Sequence, residues 1–291
     1  MRIFRLAIDG RVALAHEADG RLVALAAVPD GLHGLADSLP FDHEAARPGA
    51  DLGPPAQAAL LAPIAPRKVV AIGLNYQDHI DETGLDAPQR PLIFSKFTSS
   101  VIGPGDAIMI DRAVTDRVDW EVELAVVMGR RMRRVSEAEA LDHVAAYTVA
   151  NDVSARDVQF SDGQWVRAKS LDTFCPLGPC LVTPDEFGDP QAKRLWTRVN
   201  GETMQDSTTA EMVFSIAQLL AFCSASFTLD PGDVVLTGTP WGCGEFMKPP
   251  RSLQDGDIVA TEVEGIGMIV NPVRDVQAAE TGSPRPSAPA G

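Results

Sequence analysis

Cysteine is scarce: four residues, Cys175, Cys180, Cys223 and Cys243, are scattered over 291 positions, too few for a disulfide framework in a chain of this size. Cys175 and Cys180 have no second pair and no histidine nearby, so a zinc site is not indicated and buried free thiols are the reading. Positive charge is also short. Lys and Arg number 25 against 40 Asp and Glu, a formal charge of −15, which argues against a nucleic-acid partner because phosphate binding needs concentrated basic residues. The one basic cluster, Arg130, Arg131, Arg133 and Arg134, reads as a solvated turn. No apolar run approaches the roughly 20 residues of a membrane span. The best, Ile216 to Phe227, is interrupted by Gln218 and Ser224, while Asp9 and Arg11 break the start where a secretory signal needs apolar residues. A cytoplasmic protein without membrane or nucleic-acid partners is expected. There is no internal repeat and no regular strand–helix alternation, which excludes a doubly wound parallel sheet.

What remains is ordinary globular material, 45% hydrophobic and 22% charged, long enough for about two domains. Short β-like runs at Arg2 to Ala7, Arg11 to Ala15 and Arg21 to Ala26 alternate with Gly/Asp turns, and a Pro-rich stretch from Pro48 to Pro66 follows. Strands are then expected at Lys68 to Gly73, Leu92 to Lys96, Trp120 to Met128, Tyr147 to Asn151, Leu195 to Val199, Asp233 to Thr237 and Ile258 to Val263. Capping boxes at Ser136…Glu139 and Thr208…Glu211 predict helices running to about Tyr147 and about Cys223. The fold class is α+β and β-rich, with a small N-terminal domain over 1–65, a main domain over 66–275, and a proline-broken tail over 276–291 expected to be disordered.

The most informative segment is Val118-Asp-Trp-Glu-Val-Glu-Leu-Ala-Val-Val-Met128. Alternation along a strand puts Glu121 and Glu123 on one face about 7 Å apart, and a strand this apolar is buried unless it lies at an edge. Buried carboxylates side by side need a counter-charge. Asp152, at the end of a strand, is placed as a third oxygen ligand, and three carboxylates without sulfur favour Mg²⁺ or Mn²⁺ over zinc. In the Gly-bounded loop Gly73 to Gly84, His79 and Glu82 become neighbours if the segment turns helical, so the carboxylate can orient the imidazole. A solvated acidic edge, a turn aspartate and a surface His–Glu pair are the plain alternatives for these three features.

Together the pieces resemble the fumarylacetoacetate hydrolase superfamily over about Pro66 to Pro272. The carriers are Gly73-Leu-Asn-Tyr76, Asp119-Trp-Glu-Val-Glu123, Asn151-Asp-Val-Ser-Ala-Arg-Asp157, Lys169 to Pro179, Val199-Asn-Gly-Glu202 and Leu229 to Pro240, in that order. The resemblance implies a mixed β-roll, a homodimer, and a divalent cation on Glu121, Glu123 and Asp152. It further implies Lys169 beside the metal, Arg156 and Gln159 on the substrate, Thr239 holding a substrate carboxylate or oxyanion, and His79 with Glu82 as a dyad on a lid. Neighbouring carboxylates keep Lys169 charged, an electrostatic anchor rather than a Schiff-base nucleophile.

The function expected is metal-dependent hydrolysis of the C3–C4 bond of a 2,4-dioxo acid, an acylpyruvate, to pyruvate and a carboxylic acid, in catabolism of aromatic or cyclic compounds. His79 would activate the water while the metal and Lys169 stabilise the departing enolate. Decarboxylation of an oxaloacetate-like acid, keto–enol or double-bond isomerisation at the same site, and a silent carboxylate-binding member are the alternatives. One departure stands out. Where the family usually has a small residue and then Gly-Val-Gly, this chain has Trp241-Gly-Cys-Gly244, and Trp241 either reshapes the pocket or packs against the N-terminal domain.

Overall fold

The computed structural model describes residues 1–25 and 48–276. Ala26, residues 27–47 of the N-terminal segment, and the tail from 277 onward lie outside the described residues. Along the chain run β1 (Arg2–Ile8), β2 (Arg11–Ala18), β3 (Arg21–Leu25), β4 (Pro48–Asp51), β5 (Val69–Gly73) and β6 (Leu92–Lys96). Then come β7 (Val101–Ile102), β8 (Ile108–Ile110), β9 (Val118–Asp119), β10 (Val122–Met128), β11 (Val144–Asn151) and β12 (Ser154–Ala155). The last six are β13 (Cys175–Val182), β14 (Arg194–Val199), β15 (Glu202–Thr208), β16 (Val234–Leu236), β17 (Ile258–Val263) and β18 (Gly267–Asp275). Between them lie α1 (Gln77–Thr83), α2 (Glu137–Ala140), α3 (Arg156–Asp162), α4 (Val166–Lys169), α5 (Pro184–Phe187) and α6 (Ile216–Ser226).

The large sheet has the order β4-β3-β2-β1-β13-β11-β10-β16-β5-β6, a second has β15-β14-β17-β18-β8, and β12 pairs with β9. Both larger sheets are mixed, with β16 parallel to β5 and β18 parallel to β8 among antiparallel neighbours. The fold is thus α+β, β-rich and mixed, as expected. β1 pairs with β13, so the first strands extend the large sheet.

β10 explains where the core sits. Every residue of Val122–Met128 is buried. Val122, Leu124, Val126 and Met128 enter one apolar cluster, whereas Ala125 and Val127 enter another on the opposite face. The second face is built of small side chains, among them Ala71, Ala125, Ala146 and Ala150, and the period of two puts Glu123 on it.

Two expected helices are corrected. After Ser136 the helix stops at Ala140 and a single 3₁₀ turn, Leu141–His143, leads straight into β11. Ser136 Oγ donates to Glu139 at 2.7 Å instead of capping a backbone amide, and the following eight residues gain more from burial between β10 and β13 than from helical bonds. Thr208 does accept from the Ala210 amide, but it caps only the 3₁₀ turn Thr209–Glu211. The helix begins one motif later, where Ser215 and Gln218 cap each other reciprocally.

Candidate active site

The register of β10 against β11 assembles the acidic centre. Val122 pairs with Asn151, so Glu121, just before one strand, meets Asp152, just after the other, and the Asp152 amide donates to the Glu121 carbonyl at 2.8 Å. Asn151 Oδ1 accepts from the Glu121 amide at 3.0 Å. One carboxylate oxygen each of Glu121, Glu123 and Asp152 lie within 4.8 Å of one another, and all three residues are buried.

Cations surround this triad. Lys169, at the end of α4, donates to Glu121 Oε2 at 2.7 Å and Asp152 Oδ2 at 2.9 Å. Lys96, the last residue of β6, donates to Asp152 Oδ1 at 2.5 Å. Arg156, the first residue of α3, pairs with Glu121 Oε1 at 2.7 Å and with Asp119 Oδ2 at 2.8 Å, and donates to Gln159 at 3.0 Å. Four buried carboxylates therefore face three buried cations, one carboxylate more than these cations balance when all four are ionised. Burial opposes ionisation of Glu121, yet Lys169 and Arg156 overcome it and hold its pKa down at about 2. Glu123 goes the other way: burial, with Asp152 and Glu121 beside it, pushes its carboxyl well above the usual range.

Glu123 also carries the test of fit for a cation. Its Oε2 accepts from the Gly238 amide at 2.6 Å, while its Oε1 is buried without a hydrogen-bond partner. An orphaned buried carboxylate oxygen is costly, and here it belongs to an all-oxygen donor set with surplus negative charge. The residues fit a hard divalent cation such as Mg²⁺ or Mn²⁺. Gly238, at φ +96°, could carry no side chain, since a Cβ there would stand 2.8 Å from Asn75 Cβ.

Beside the triad is a cavity of about 560 Å³, its open mouth included, lined by His79, Glu121, Arg156, Gln159, Lys169 and Thr239. Phe94, Trp165 and Phe246 give it apolar walls. The loop carrying His79 does turn helical, and in α1 His79 Nδ1 lies 3.0 Å from Glu82 Oε2. α1 is fastened to β15 and to the loop after β16: Glu82 Oε1 accepts from the Gly242 amide at 2.9 Å, and Asp78 accepts from Ser207 Oγ at 2.5 Å and from the Trp241 amide at 3.3 Å. Trp241 itself is 45% exposed and is not among the cavity-lining residues. Of the other candidates, His79, Glu121, Arg156, Gln159, Lys169 and Thr239 line the cavity, while Glu82 reaches it through His79 and Glu123 and Asp152 through the triad they form with Glu121.

Four residues at the site were not singled out from sequence. Lys96 carried a signal, because it shares the inward face of β6 with Phe94, a position where lysine is out of place without a partner. Asp119 did too, since Asp119, Glu121 and Glu123 repeat with a period of two. Gln205 fixes Thr239: its Oε1 accepts from the Val122 amide at 2.9 Å, so its Nε2 donates to Thr239 Oγ1 at 2.9 Å and to the Pro240 carbonyl at 3.0 Å. Nothing in the sequence marked Gln205, or Asp78 as a fastening for α1.

Residues 68–274 match the family described as fumarylacetoacetate (FAA) hydrolase, C-terminal. A curated relative from Xenopus laevis, "Oxaloacetate tautomerase fahd2, mitochondrial", is 50% identical over 74% of this chain and 68% of its own length. The Homo sapiens "Oxaloacetate tautomerase FAHD2A, mitochondrial" is 48% identical over 76% of this chain and 71% of its own. Among solved structures, fumarylacetoacetate hydrolase from Exiguobacterium antarcticum superposes with a TM-score of 0.84 at 39% identity, covering 95% of this chain and 100% of that one. The 2-hydroxyhepta-2,4-diene-1,7-dioate isomerase from Mycobacterium marinum gives 0.75 at 38% identity, covering 97% and 100%.

Proposed function

Since the chain belongs to the fumarylacetoacetate hydrolase family, a family of enzymes, we propose that it catalyses keto–enol tautomerisation of a short 2-oxo dicarboxylate of the oxaloacetate type. The observation that carries this reading is that His79, paired with Glu82, lines one cavity together with Lys169 and Arg156. The names and identities of the curated relatives support the substrate class.

Tautomerisation needs a base that takes a proton from C3, and a positive field where negative charge grows on the 2-oxo oxygen. His79 is the base, held in one tautomer by Glu82, and returns the proton at the oxygen or at carbon according to direction. Lys169 and Arg156 supply fixed positive charge in the same cavity. Thr239, with its oxygen occupied by the Gln205 donor, has its hydroxyl proton left for a substrate carboxylate. Glu121, Glu123 and Asp152 would hold the divalent cation, which when bound polarises the 2-oxo carbonyl and raises the acidity of C3. Phe94, Trp165 and Phe246 exclude water from the walls and so favour proton return over hydrolysis.

The second reading is hydrolysis of an acylpyruvate to pyruvate and an acid, favoured by the same dyad as an activator of water. The test follows enol absorbance in the ultraviolet with purified protein, Mg²⁺ and then a chelator. The expected result is cation-dependent acceleration of the oxaloacetate keto–enol approach to equilibrium without release of pyruvate or carbon dioxide. Faster loss of acylpyruvates with stoichiometric pyruvate would establish hydrolysis instead, and carbon dioxide release would establish decarboxylation. Pairing with a second copy of the chain and a cytoplasmic setting belong to this reading as well. No described helix is long and apolar enough to cross a membrane, and the curated relatives are mitochondrial by name, so fractionation of native cells is the measurement for location.

A further inference from the structure

Cys243 stands in the segment where this chain departs from its family's pattern, and the tautomerase reading gives it no task. Its Sγ, one ring nitrogen of His79 and one carboxylate oxygen of Glu82 all lie within 4.8 Å of one another, and Cys243 and His79 are buried. The thiol has only long contacts, 3.9 Å from Gln205 Nε2 and 4.0 Å from the Pro240 carbonyl. Its loop is held in place: Gly242 adopts φ +95° and a Cβ there would stand 2.2 Å from the Met204 carbonyl, while the Gly242 amide bonds to Glu82.

We propose that His79, Glu82 and Cys243 form a second cation site, distinct from the acidic triad, which takes a borderline-soft divalent ion such as Zn²⁺ and silences the dyad when filled. An imidazole, a thiolate and a carboxylate with an open fourth position are a donor set for zinc and a poor one for Mg²⁺, whereas the triad offers oxygen alone. Tetrahedral zinc with bonds of about 2.0 to 2.3 Å places its donors about 3.3 to 3.8 Å apart, against separations of at most 4.8 Å among these three atoms. Burial, with Asp119 beside it, keeps the Cys243 thiol protonated in the cation-free site. Coordination forms the sulfur–metal bond and breaks the S–H bond, and the proton leaves to solvent. With both ring and carboxylate engaged, His79 no longer carries a proton for the substrate.

The test uses full-length protein with Mg²⁺ in excess, titrated with Co²⁺ as an optical probe and then with Zn²⁺. A thiolate-to-cobalt charge-transfer band saturating at one equivalent, unaffected by more Mg²⁺ and removed by Zn²⁺, is the expected result; none of the triad's three donors is sulfur. Cys243→Val should abolish the band and weaken Zn²⁺ binding at least about 100-fold while turnover stays within about twofold of wild type. His79→Ala should diminish the band as well. Cys175, Cys180 and Cys223 are buried in apolar clusters, so a band that survives Cys243→Val would come from elsewhere and overturn the proposal. So would absence of any band in wild type, or zinc inhibition relieved by Mg²⁺ in proportion to its concentration, which would put zinc on the triad. The optical arm needs no turnover, so failure of the tautomerase reading leaves it standing.

Discussion

Glu121 and Glu123 are two residues apart, equally buried, and shifted in opposite directions, because Lys169 and Arg156 both reach the first while the second faces mainly other carboxylates. For Glu121 the folded pKa of about 2 lies below the ordinary 4.5. Its contribution to stability is therefore complete above 4.5 and is lost as pH falls through about 2. Acid titration of the chelated protein should show this loss across that window, and Glu121→Gln should flatten it. His79→Ala should lower kcat by about 10² to 10⁴ and leave Mg²⁺ affinity at the acidic triad unchanged, as read by steady-state kinetics beside calorimetry. At this scale the sequence was informative wherever chemistry came in a local pattern, as with His79 and Glu82 or the acids around Trp120. It was silent on Gln205, whose partners Val122, Thr197 and Thr239 are brought to it only by folding.

At the scale of elements, α1 is seven residues long and gains little stability from its own hydrogen bonds. Asp78 and Glu82 tie it to Ser207, Trp241 and Gly242, so the position of His79 depends on contacts from β15 and the loop after β16. Asp78→Ala should accelerate amide exchange over residues 77–83 and reduce kcat by about 10-fold or more, with cation affinity and the melting temperature nearly unchanged. The strands with uninterrupted apolar or alternating patterns, Leu92–Lys96 and Ile258–Val263 above all, were legible to their ends. β13 was not, because Pro176, Gly178 and Pro179 read as breakers, although β11 pairs with Leu177, Gly178 and Val182 and β1 with Leu181 and Val182. The α2 helix was overread because a Ser…Glu motif is the same three residues apart whether the serine caps an amide or bonds the glutamate.

Considered as a whole, the molecule holds an imbalance of buried charge at the centre of its largest sheet, where β11, β10, β16 and β5 lie side by side. A cation bound there stabilises the folded state by mass action, about 2.7 kcal/mol at a hundred times its dissociation constant. Mg²⁺ should raise the melting temperature, and Glu123→Gln should erase that rise. The same substitution should increase the melting temperature of the chelated protein, since it removes a buried carboxyl whose ionisation is opposed by its surroundings. Mixed β-rich architecture was readable from the spacing of strands, but the sheet order was not, because β16 meets β5 and β10 from far along the chain.

That order has a consequence for synthesis on the ribosome. β10 and β11 emerge together and can pair at once, while the strand that covers the other edge of β10 is made much later. For that interval a strand whose every residue is buried in the folded protein presents a bare edge. Ionised Glu121 and Glu123 at its head then act as gatekeepers, repelling other nascent chains before any substrate is met. Glu123→Gln should lower the soluble fraction during expression even as the purified metal-free protein melts higher, a divergence that solubility and thermal denaturation measured side by side would reveal.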